Sequence, residues 1–320
     1  MAHENPVEYV LFEDMHMLTV NEEQVRALLT MEELIPEMER AFQDFSSGKL
    51  RQPVRSVLRL PEHQGILGLM PAVDGELMGI KLVTIYEENA RAGLPTHQAV
   101  IQLFRAATGE LLVTMDGRLI TEMRTAAASA VAIRLLAPPE AKVLAILGSG
   151  VQARSHIEAL RLVRDFREVR VWSRTPEHAR QFASQFGAQA MALEEAVRGA
   201  DVVVSVAATH EPMVRGAWLG EKTLVVAVGA VGPEKRELDD VAMDASIVVE
   251  SREAAVRESG DILGSGAAVY AELGELLNGT LPMPPAGKRI VYKSLGIAAE
   301  DVAAAGLVLK KWQNSGAQAG

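Results

Sequence analysis

A glycine-rich turn in this sequence has residue types and a spacing that could bind phosphate groups. The apolar run 143–147 leads directly into Gly148-Ser149-Gly150-Val151-Gln152-Ala153, a GxGxxA pattern. Gly148 would make a tight turn, Gly150 would let backbone amides approach a pyrophosphate, and Ala153 would keep the following helix close to the strand. Negative charge is also favoured at the N-terminus of that helix. The pattern therefore predicts a dinucleotide site formed by Gly148, Ser149, Gly150, Val151, Gln152 and Ala153.

The residues after the next predicted strand bear on the choice between the two nicotinamide cofactors. A protein that binds NAD usually carries Asp or Glu there, and the carboxylate binds the ribose 2′-hydroxyl. This sequence has Ser173-Arg174-Thr175 instead. Arg174 can form charge-assisted hydrogen bonds to a 2′-phosphate, and Ser173 and Thr175 can donate further ones, so NADPH is predicted and NADH is less favoured. An exposed arginine that only opens a turn before Pro176 is the alternative.

Four basic residues earlier in the chain could hold a substrate anion: Arg51, Arg55, Lys81 and Arg124. Lys81 lies in an apolar run, where desolvation would lower its pKa and make it a useful proton donor. A lysine on the solvent-facing side of an edge strand would give the same pattern. Arg124 begins a segment of small residues and could bind a carboxylate through two hydrogen bonds. An ordinary arginine on a helix surface is the alternative for Arg124.

The composition and the missing motifs exclude several classes of function. Cysteine is absent, which excludes disulfides, thiolate nucleophiles and zinc-cysteine sites, and the seven histidines lack metal-ligand spacing, so no metal is expected. The net charge of −10 without a basic stripe disfavours nucleic acid. A Ser-His-Asp order, a GxSxG elbow and a Walker lysine are missing, so hydride transfer is favoured over hydrolysis and phosphoryl transfer. The acidic N-terminus and the lack of a long apolar run predict a cytoplasmic protein that does not contact membranes.

The hydrophobic periodicity predicts the elements that would position these residues. A helical pattern runs from Asn21 to Ser46-Ser47-Gly48, with Thr30 and Glu33 as a capping box. An antiparallel meander is predicted from the runs 54–60, 80–86, 98–104 and 111–115, followed by a helix over 121–136. From Lys142 strands and helices alternate, with strands near 143–147, 168–172, 188–192, 201–206, 223–228 and 246–250. The fold class is therefore α/β, a Rossmann-type doubly wound parallel sheet plus a second α+β domain. The first 14 residues show no clear period and are expected to be an extension.

Motifs spread along nearly the whole chain resemble those of the ornithine cyclodeaminase/mu-crystallin family. The resemblance begins near Leu18 and continues to the C-terminus, and so many matches in the same order are far more specific than any one of them. The matching segments are Gln52-Pro53-Val54-Arg55, Leu69-Met70-Pro71-Ala72, Lys81-Leu82-Val83-Thr84, Met115-Asp116-Gly117, Arg124-Thr125-Ala126-Ala127, 147–153, Arg236-Glu237-Leu238-Asp239, Glu258-Ser259-Gly260-Asp261 and Lys293-Ser294-Leu295-Gly296.

The resemblance implies a homodimer whose chains each have two domains. Residues 15–120, completed by about 297–318, would bind substrate and dimerise, and residues 121–296 would form the Rossmann domain that binds NADPH. By the same resemblance, Arg55 and Arg124 would bind the substrate carboxylate, and Lys81 would lie near the reacting nitrogen. The nicotinamide would be lined by Thr209, Val228, Ser294, Leu295 and Gly296.

Two departures from the family pattern bear on the reaction. Ornithine cyclodeaminases carry an Asp two residues after a Val-Gly pair and a Glu just before Leu-Met-Pro, whereas this sequence has Val231 and Gly68 at these positions. Without these carboxylates a buried ω-ammonium group would lack a partner, so cyclodeamination is disfavoured. The expected function is NADPH-dependent reduction of cyclic imino acids such as Δ1-pyrroline-2-carboxylate or Δ1-piperideine-2-carboxylate, or of imines formed from a 2-oxo acid and an amine. A binding protein that holds NADPH with little turnover and an amino acid dehydrogenase acting on a 2-oxo acid and ammonia are the alternatives.

Overall fold

The computed structural model describes residues 18–315, which form two lobes, each built around its own sheet. The extension expected over the first 14 residues lies outside the described range. The first lobe contains the sheet of residues 19–116, and the second lobe contains the sheet of residues 143–293. The predicted α/β fold class is confirmed, because a doubly wound parallel sheet accompanies a second α+β unit.

The sheet of the first lobe is mostly antiparallel, as the predicted meander requires. Its strand order is β1-β7-β6-β5-β4-β2, with β3 also paired to β4 and only the β1–β7 pair parallel. The strand β4, with two glycines and a proline in its run, has no counterpart among the predicted strands. The strands are β1 (Thr19–Val20), β2 (Leu50–Arg51), β3 (Ser56–Leu60), β4 (Gly65–Asp74), β5 (Leu77–Tyr86), β6 (His97–Arg105) and β7 (Leu111–Asp116).

Three helices pack in the first lobe: α1 (Glu22–Leu28), α2 (Met31–Ser46) and α11 (Ala298–Asn314). The helical pattern from Asn21 is thus two helices, and the capping box forms at the first one, where Asn21 and Gln24 exchange hydrogen bonds of 2.9 and 2.8 Å. The capping box predicted for Thr30 is wrong. The Thr30 hydroxyl donates to the Glu33 carboxylate at 2.6 Å, because an ionised oxygen is a stronger acceptor than neutral groups.

The second lobe is a parallel sheet of eight strands with the order β10-β9-β8-β11-β12-β15-β13-β14. The strands are β8 (Val143–Leu147), β9 (Glu168–Trp172), β10 (Gln189–Ala190), β11 (Val202–Ser205), β12 (Leu224–Ala227), β13 (Ser246–Val249), β14 (Val269–Glu272) and β15 (Ile290–Lys293). The strand order reverses between β8 and β11, where ligands of open parallel sheets bind. Its helices are α4 (Val151–Val163), α5 (Pro176–Phe186), α6 (Leu193–Val197), α7 (Asp240–Met243), α8 (Arg252–Glu258), α9 (Gly260–Ser265) and α10 (Leu273–Leu277).

The long helix α3 (Arg118–Leu136) lies between the two lobes. It packs on α2 and α11 on one side and on α4 on the other, and its alanines are buried. The domain division at residues 120 and 121 therefore stays a prediction, since α3 contacts elements of both predicted domains. No helix within residues 18–315 is long and apolar enough to cross a membrane.

Candidate active site

Lys81 lies on the face of β5 that packs against α11, and its side chain is only 2% exposed. Its Nζ is 2.7 Å from Oδ2 of Asp301, in the first turn of α11. The pKa of Lys81 is lowered to about 8: burial is the largest cause, the charges of Arg124 and Arg55 act in the same direction, and Asp301 acts in the opposite direction. The interpretation of Lys81 as a solvent-facing lysine is therefore wrong. The geometry and the pKa are suitable for a proton donor.

Arg124, on α3, is buried beside the same carboxylate. Its Nε donates to Oδ1 of Asp301 at 3.1 Å, and its Nη1 donates to Oε2 of Glu300 at 2.7 Å. Burial lowers the pKa of Arg124, but the nearby carboxylates outweigh burial and raise it overall. The interpretation of Arg124 as an ordinary surface arginine is thus also wrong. Its Nη2 makes no hydrogen bond to residues 18–315 and is available to a ligand carboxylate.

Arg55 connects the first lobe to the second. Its Nη2 donates to the carbonyl oxygens of Leu295, at 2.8 Å, and Gly296, and its Nε is 3.0 Å from Oε2 of Glu258. The structure thus brings Arg55, Lys81 and Arg124 to one region between the lobes. Arg51, in contrast, is exposed on the short strand β2.

The turn after β15 lies against both arginines, and Glu250 fixes it. This buried carboxylate accepts hydrogen bonds from the backbone amides of Leu295 (3.0 Å) and Gly296 (3.3 Å) and from the Tyr292 hydroxyl (3.2 Å). Gly296 has a φ of +71°, which favours glycine. The predicted nicotinamide-lining residues Ser294, Leu295 and Gly296 are therefore held rigidly next to Arg55 and Arg124.

The GxGxxA residues form the strand-turn-helix that the sequence predicts. Gly148 has a φ of +136° and donates its amide to the Trp172 carbonyl at 2.8 Å, while Ala153 is fully buried. A Cβ on Gly150 would meet no atom of the described chain within 4 Å, so the backbone there is open to a phosphate group. Val151 begins α4, and Ser149 hydrogen-bonds Ser173 at 2.9 Å, which joins the two predicted cofactor loops.

A cavity of about 480 Å³ lies between the start of α4 and strands β5 and β6 of the first lobe. It is lined by residues of both lobes, among them Val83, Leu94, Pro95, Thr121, Val151 and Gln152. Val83 is two residues after Lys81 on the same strand, and Thr121 is one helical turn before Arg124. The buried Oε1 of Gln152 and Oγ of Ser294 have no hydrogen-bond partner among the described residues. The open backbone at Gly150, the cavity beside Val151 and Gln152, and these two oxygens fit a dinucleotide bound at the GxGxxA turn.

The other predicted cofactor residues lie at the carboxyl ends of parallel strands. Arg174 and Thr175 are exposed after β9, where an adenosine ribose would lie, and Val228 follows β12. Thr209 is half-buried after β11, and its hydroxyl donates to the Glu211 carbonyl at 2.7 Å. Their roles toward a cofactor stay predictions.

A buried ion cluster beneath the site was not anticipated from the sequence. Nζ of Lys293 lies 2.6 Å from Glu237, 3.0 Å from Asp261 and 2.7 Å from the Ala230 carbonyl. Glu237 also accepts the backbone amides of Gly229 and Ala230, so the cluster fixes the chain that follows β12. Each of these charged residues occurs in one of three family motifs. The sequence feature that could have indicated their burial is that each of them lies next to apolar residues.

Glu300 and Asp301 were likewise not anticipated. Both are fully buried, and Glu300 also accepts the Ile297 amide at 2.9 Å. Burial is the largest effect that raises the pKa of Glu300 to about 7, while Arg124 opposes this shift. The signal in the sequence was a pair of adjacent acids in the otherwise apolar segment 297–309.

The two positions that depart from the cyclodeaminase pattern bring no carboxylate to the site. Val231 is 38% exposed in the loop after β12. Gly68 lies on β4 opposite Val83, and a Cβ there would be 3.0 Å from Cγ1 of Val83, which is tight for any side chain.

The fold and the site define a two-lobed protein with a dinucleotide-binding sheet and a buried lysine and arginine between the lobes. The chain belongs to the ornithine cyclodeaminase/mu-crystallin family, whose model matches residues 14–316. Ketimine reductase mu-crystallin from Mus musculus is 45% identical over 290 residues, which cover 88% of this chain and 92% of the relative.

Two solved structures share the fold closely. Thermococcus litoralis Δ1-pyrroline-2-carboxylate reductase, in complex with NADH and L-proline, has a TM-score of 0.89 and 34% identity, covering 94% of this chain and 98% of that one. An archaeal alanine dehydrogenase dimer with bound NAD has a TM-score of 0.89 and 32% identity, and the match covers 94% of this chain and 97% of that one. The predicted family is thus confirmed.

Proposed function

We propose that this chain is an NAD(P)H-dependent oxidoreductase that reduces the carbon–nitrogen double bond of small imino acids. The observation that carries the proposal is the pair formed by Lys81 and Arg124, which share Asp301 beside the turn at Gly296. Relatives along nearly the whole chain are a ketimine reductase and a Δ1-pyrroline-2-carboxylate reductase, which supports this reaction class.

Each residue of the site has a distinct part in the proposed reaction. The free Nη2 of Arg124, together with Arg55, binds the substrate carboxylate. Lys81 donates a proton to the imine nitrogen, which makes the adjacent carbon a better hydride acceptor. A reduced nicotinamide dinucleotide, which the GxGxxA turn and residues 294–296 would hold, would supply the hydride. The product is the amino acid, and Lys81 then recovers its proton from water.

The preferred substrates are cyclic imino acids without a second charged group, such as Δ1-pyrroline-2-carboxylate and Δ1-piperideine-2-carboxylate, or imines of 2-oxo acids and amines. Val231 and Gly68 leave no carboxylate for an ω-ammonium group, and an unpaired buried charge is strongly unfavourable. Ornithine cyclodeamination is therefore disfavoured. The similarity to an alanine dehydrogenase favours one second candidate, reductive amination of a 2-oxo acid by free ammonia.

NADPH is the proposed cofactor in preference to NADH. Exposed Arg174 and Thr175 follow β9, and Ser173 is tied to the GxGxxA turn through Ser149, so cationic and hydroxyl donors surround the expected 2′-phosphate position. The NADH in the Thermococcus litoralis reductase structure describes the cofactor of that protein and not the preference of this chain. The cytoplasmic location stays a prediction.

A homodimer is proposed through the face of the first sheet opposite α11. Alternate residues of its strands point to this face and are half-buried in the single chain, whereas their neighbours on the inner face are buried. The face is mostly apolar, with Gln102 and Thr114 as polar residues among the apolar ones, as expected for a surface that a second copy covers. It includes Leu69, Pro71, Val73, Met78, Ile80, Leu82, Val100 and Phe104.

The proposed function is tested by NADPH oxidation with a panel of substrates. Cyclic imines of both ring sizes should support turnover, and a 2-oxo acid with ammonia should be slower than a preformed imine. Ornithine, whose cyclodeamination consumes no NADPH overall, is tested instead by ammonia release and should give none. Lys81→Met should lower kcat about 10²- to 10⁴-fold and spare NADPH binding. Lys222→Met, at an exposed lysine, is the control. A wild-type protein that oxidises NADPH with none of the imines would exclude the reductase. Turnover only with ammonia would favour the second candidate.

A further inference from the structure

One buried carboxylate holds both cationic groups of the site. We propose that Asp301 is a positioning residue that fixes Lys81 and Arg124 at one separation, so that the enzyme accepts only imines whose nitrogen and carboxylate are on the same carbon. This inference rests on the proposed function, because it assumes that Lys81 serves the nitrogen and Arg124 serves the carboxylate.

The contacts of Asp301 are divided between its two oxygens. Oδ2 lies 2.7 Å from Nζ of Lys81, and Oδ1 accepts Nε of Arg124 at 3.1 Å. The ammonium and guanidinium groups are thus held on the two oxygens of one carboxylate. In an α-imino acid the nitrogen and the carboxylate are likewise separated by a single carbon. A substrate with a longer separation would lose one of the two contacts.

The backbone around Asp301 leaves it little freedom to move. Asp301 is fully buried in the first turn of α11, where the helix dipole favours a negative charge. Two further bonds fix this turn: Glu300 accepts the Ile297 amide at 2.9 Å, and Gln52 accepts the Ala299 amide at 2.8 Å. Glu300 also binds Nη1 of Arg124, so the helix holds the guanidinium at two points.

Asp301 is also the nearby negative charge that favours the ammonium form of Lys81. Burial lowers the pKa of Lys81, and Asp301 partly offsets this. The other ionisable groups around the pair come from several elements: Arg124 from α3, Arg55 from the segment before β3, His97 from β6, Glu250 after β13 and Glu300 from α11. Both arginines disfavour the ammonium. Removal of the Asp301 charge should therefore lower the pKa of Lys81 further.

Asp301→Asn tests this role, because it keeps the size of the side chain and an acceptor for Arg124 but removes the charge. The alkaline limb of the pH profile of kcat/KM should move about 1–3 pH units lower. Asp301→Glu should bring the limb back toward the wild-type position, and Asp165→Asn, at an exposed aspartate, should leave it unchanged. A role in folding alone would change the amount of active protein and leave the limb in place, and that result would overturn the proposal.

A comparison on the wild-type protein covers the case in which Asp301→Asn does not fold. Δ1-pyrroline-2-carboxylate is compared with a ring isomer whose carboxylate is one carbon farther from the C=N carbon. We expect kcat/KM to be about 100-fold or more lower for the isomer. Equal turnover of both would overturn the positioning role and leave the reductase intact. If neither these imines nor the rest of the panel supports turnover, the proposed function itself fails.

Discussion

The guanidinium group of Arg124 occupies the space that a side chain at position 296 would need. Gly296 also has a φ of +71°, so this turn requires glycine for two independent reasons. The arginine can therefore lie directly against the turn whose backbone carbonyl also binds Arg55.

Gly296→Ala should displace Arg124 and lower kcat/KM about 100-fold, because small displacements of a binding group have large effects on the rate. Gly187→Ala is the matched control, since Gly187 has a φ of +63° but no atom of the described chain within 4 Å of an added Cβ. Both variants should lose about 1–2 kcal/mol of unfolding free energy to backbone strain. Steady-state kinetics and thermal unfolding measure the two effects. Equal kinetic losses would show that the contact with Arg124 is unimportant.

The activity should decrease at alkaline pH. Lys81, whose pKa burial lowers to about 8, carries its proton below that pH and loses it above. For reduction of a preformed imine, kcat/KM should therefore fall about tenfold per pH unit above pH ~8. The pKa of the imine, measured without enzyme, is the control for substrate titration. A profile that stays flat through this range would argue against Lys81 as the proton donor.

Arg174→Ala should weaken NADPH binding about 10- to 100-fold and leave NADH binding nearly unchanged, because only NADPH has the 2′-phosphate. Arg180→Ala, on the adjacent helix α5, removes an exposed arginine that pairs with Glu177 and should have little effect. Titration calorimetry with both cofactors measures the ratio. Equal losses for NADPH and NADH would contradict a 2′-phosphate contact.

Lys293→Met should destabilise the protein by about 3–5 kcal/mol, because it leaves the buried carboxylates of Glu237 and Asp261 without their cation. Lys288→Met removes an exposed lysine 3.9 Å from Asp244 and should cost much less. Denaturant unfolding measures both variants. A small loss for Lys293→Met would mean that these carboxylates take up protons or find water when the lysine is removed.

Ile80→Glu should dissociate the proposed homodimer, because it places a charge in the centre of the apolar face opposite α11. Val256→Glu changes a 51% exposed valine on α8 of the second lobe and should leave the dimer intact. Light scattering with size-exclusion chromatography gives the mass of each variant. A wild-type protein that is monomeric at micromolar concentration would rule out the dimer.

The sequence by itself determined the parts that depend on local pattern. The glycines of the GxGxxA turn are required by backbone conformation and close approach. Short β-like runs separated by Gly and Pro indicated the antiparallel sheet, and strands that alternate with helices indicated the parallel sheet. The departures at Val231 and Gly68 could be identified only through the resemblance to the family, which gives the positions where cyclodeaminases carry carboxylates. The burial of Lys81 was one of two open interpretations, since a lysine among apolar residues fits either face of a strand.

Only the tertiary structure decided which residues surround Lys81 and Arg124. The carboxylates that bind Arg124 are 176 and 177 positions away along the chain, on a helix that returns to the first lobe after the second lobe is complete. The insertion of β15 between β12 and β13 likewise brings the turn 294–296 beside Arg55. No local period encodes such contacts, because they arise from the order in which distant strands and helices pack.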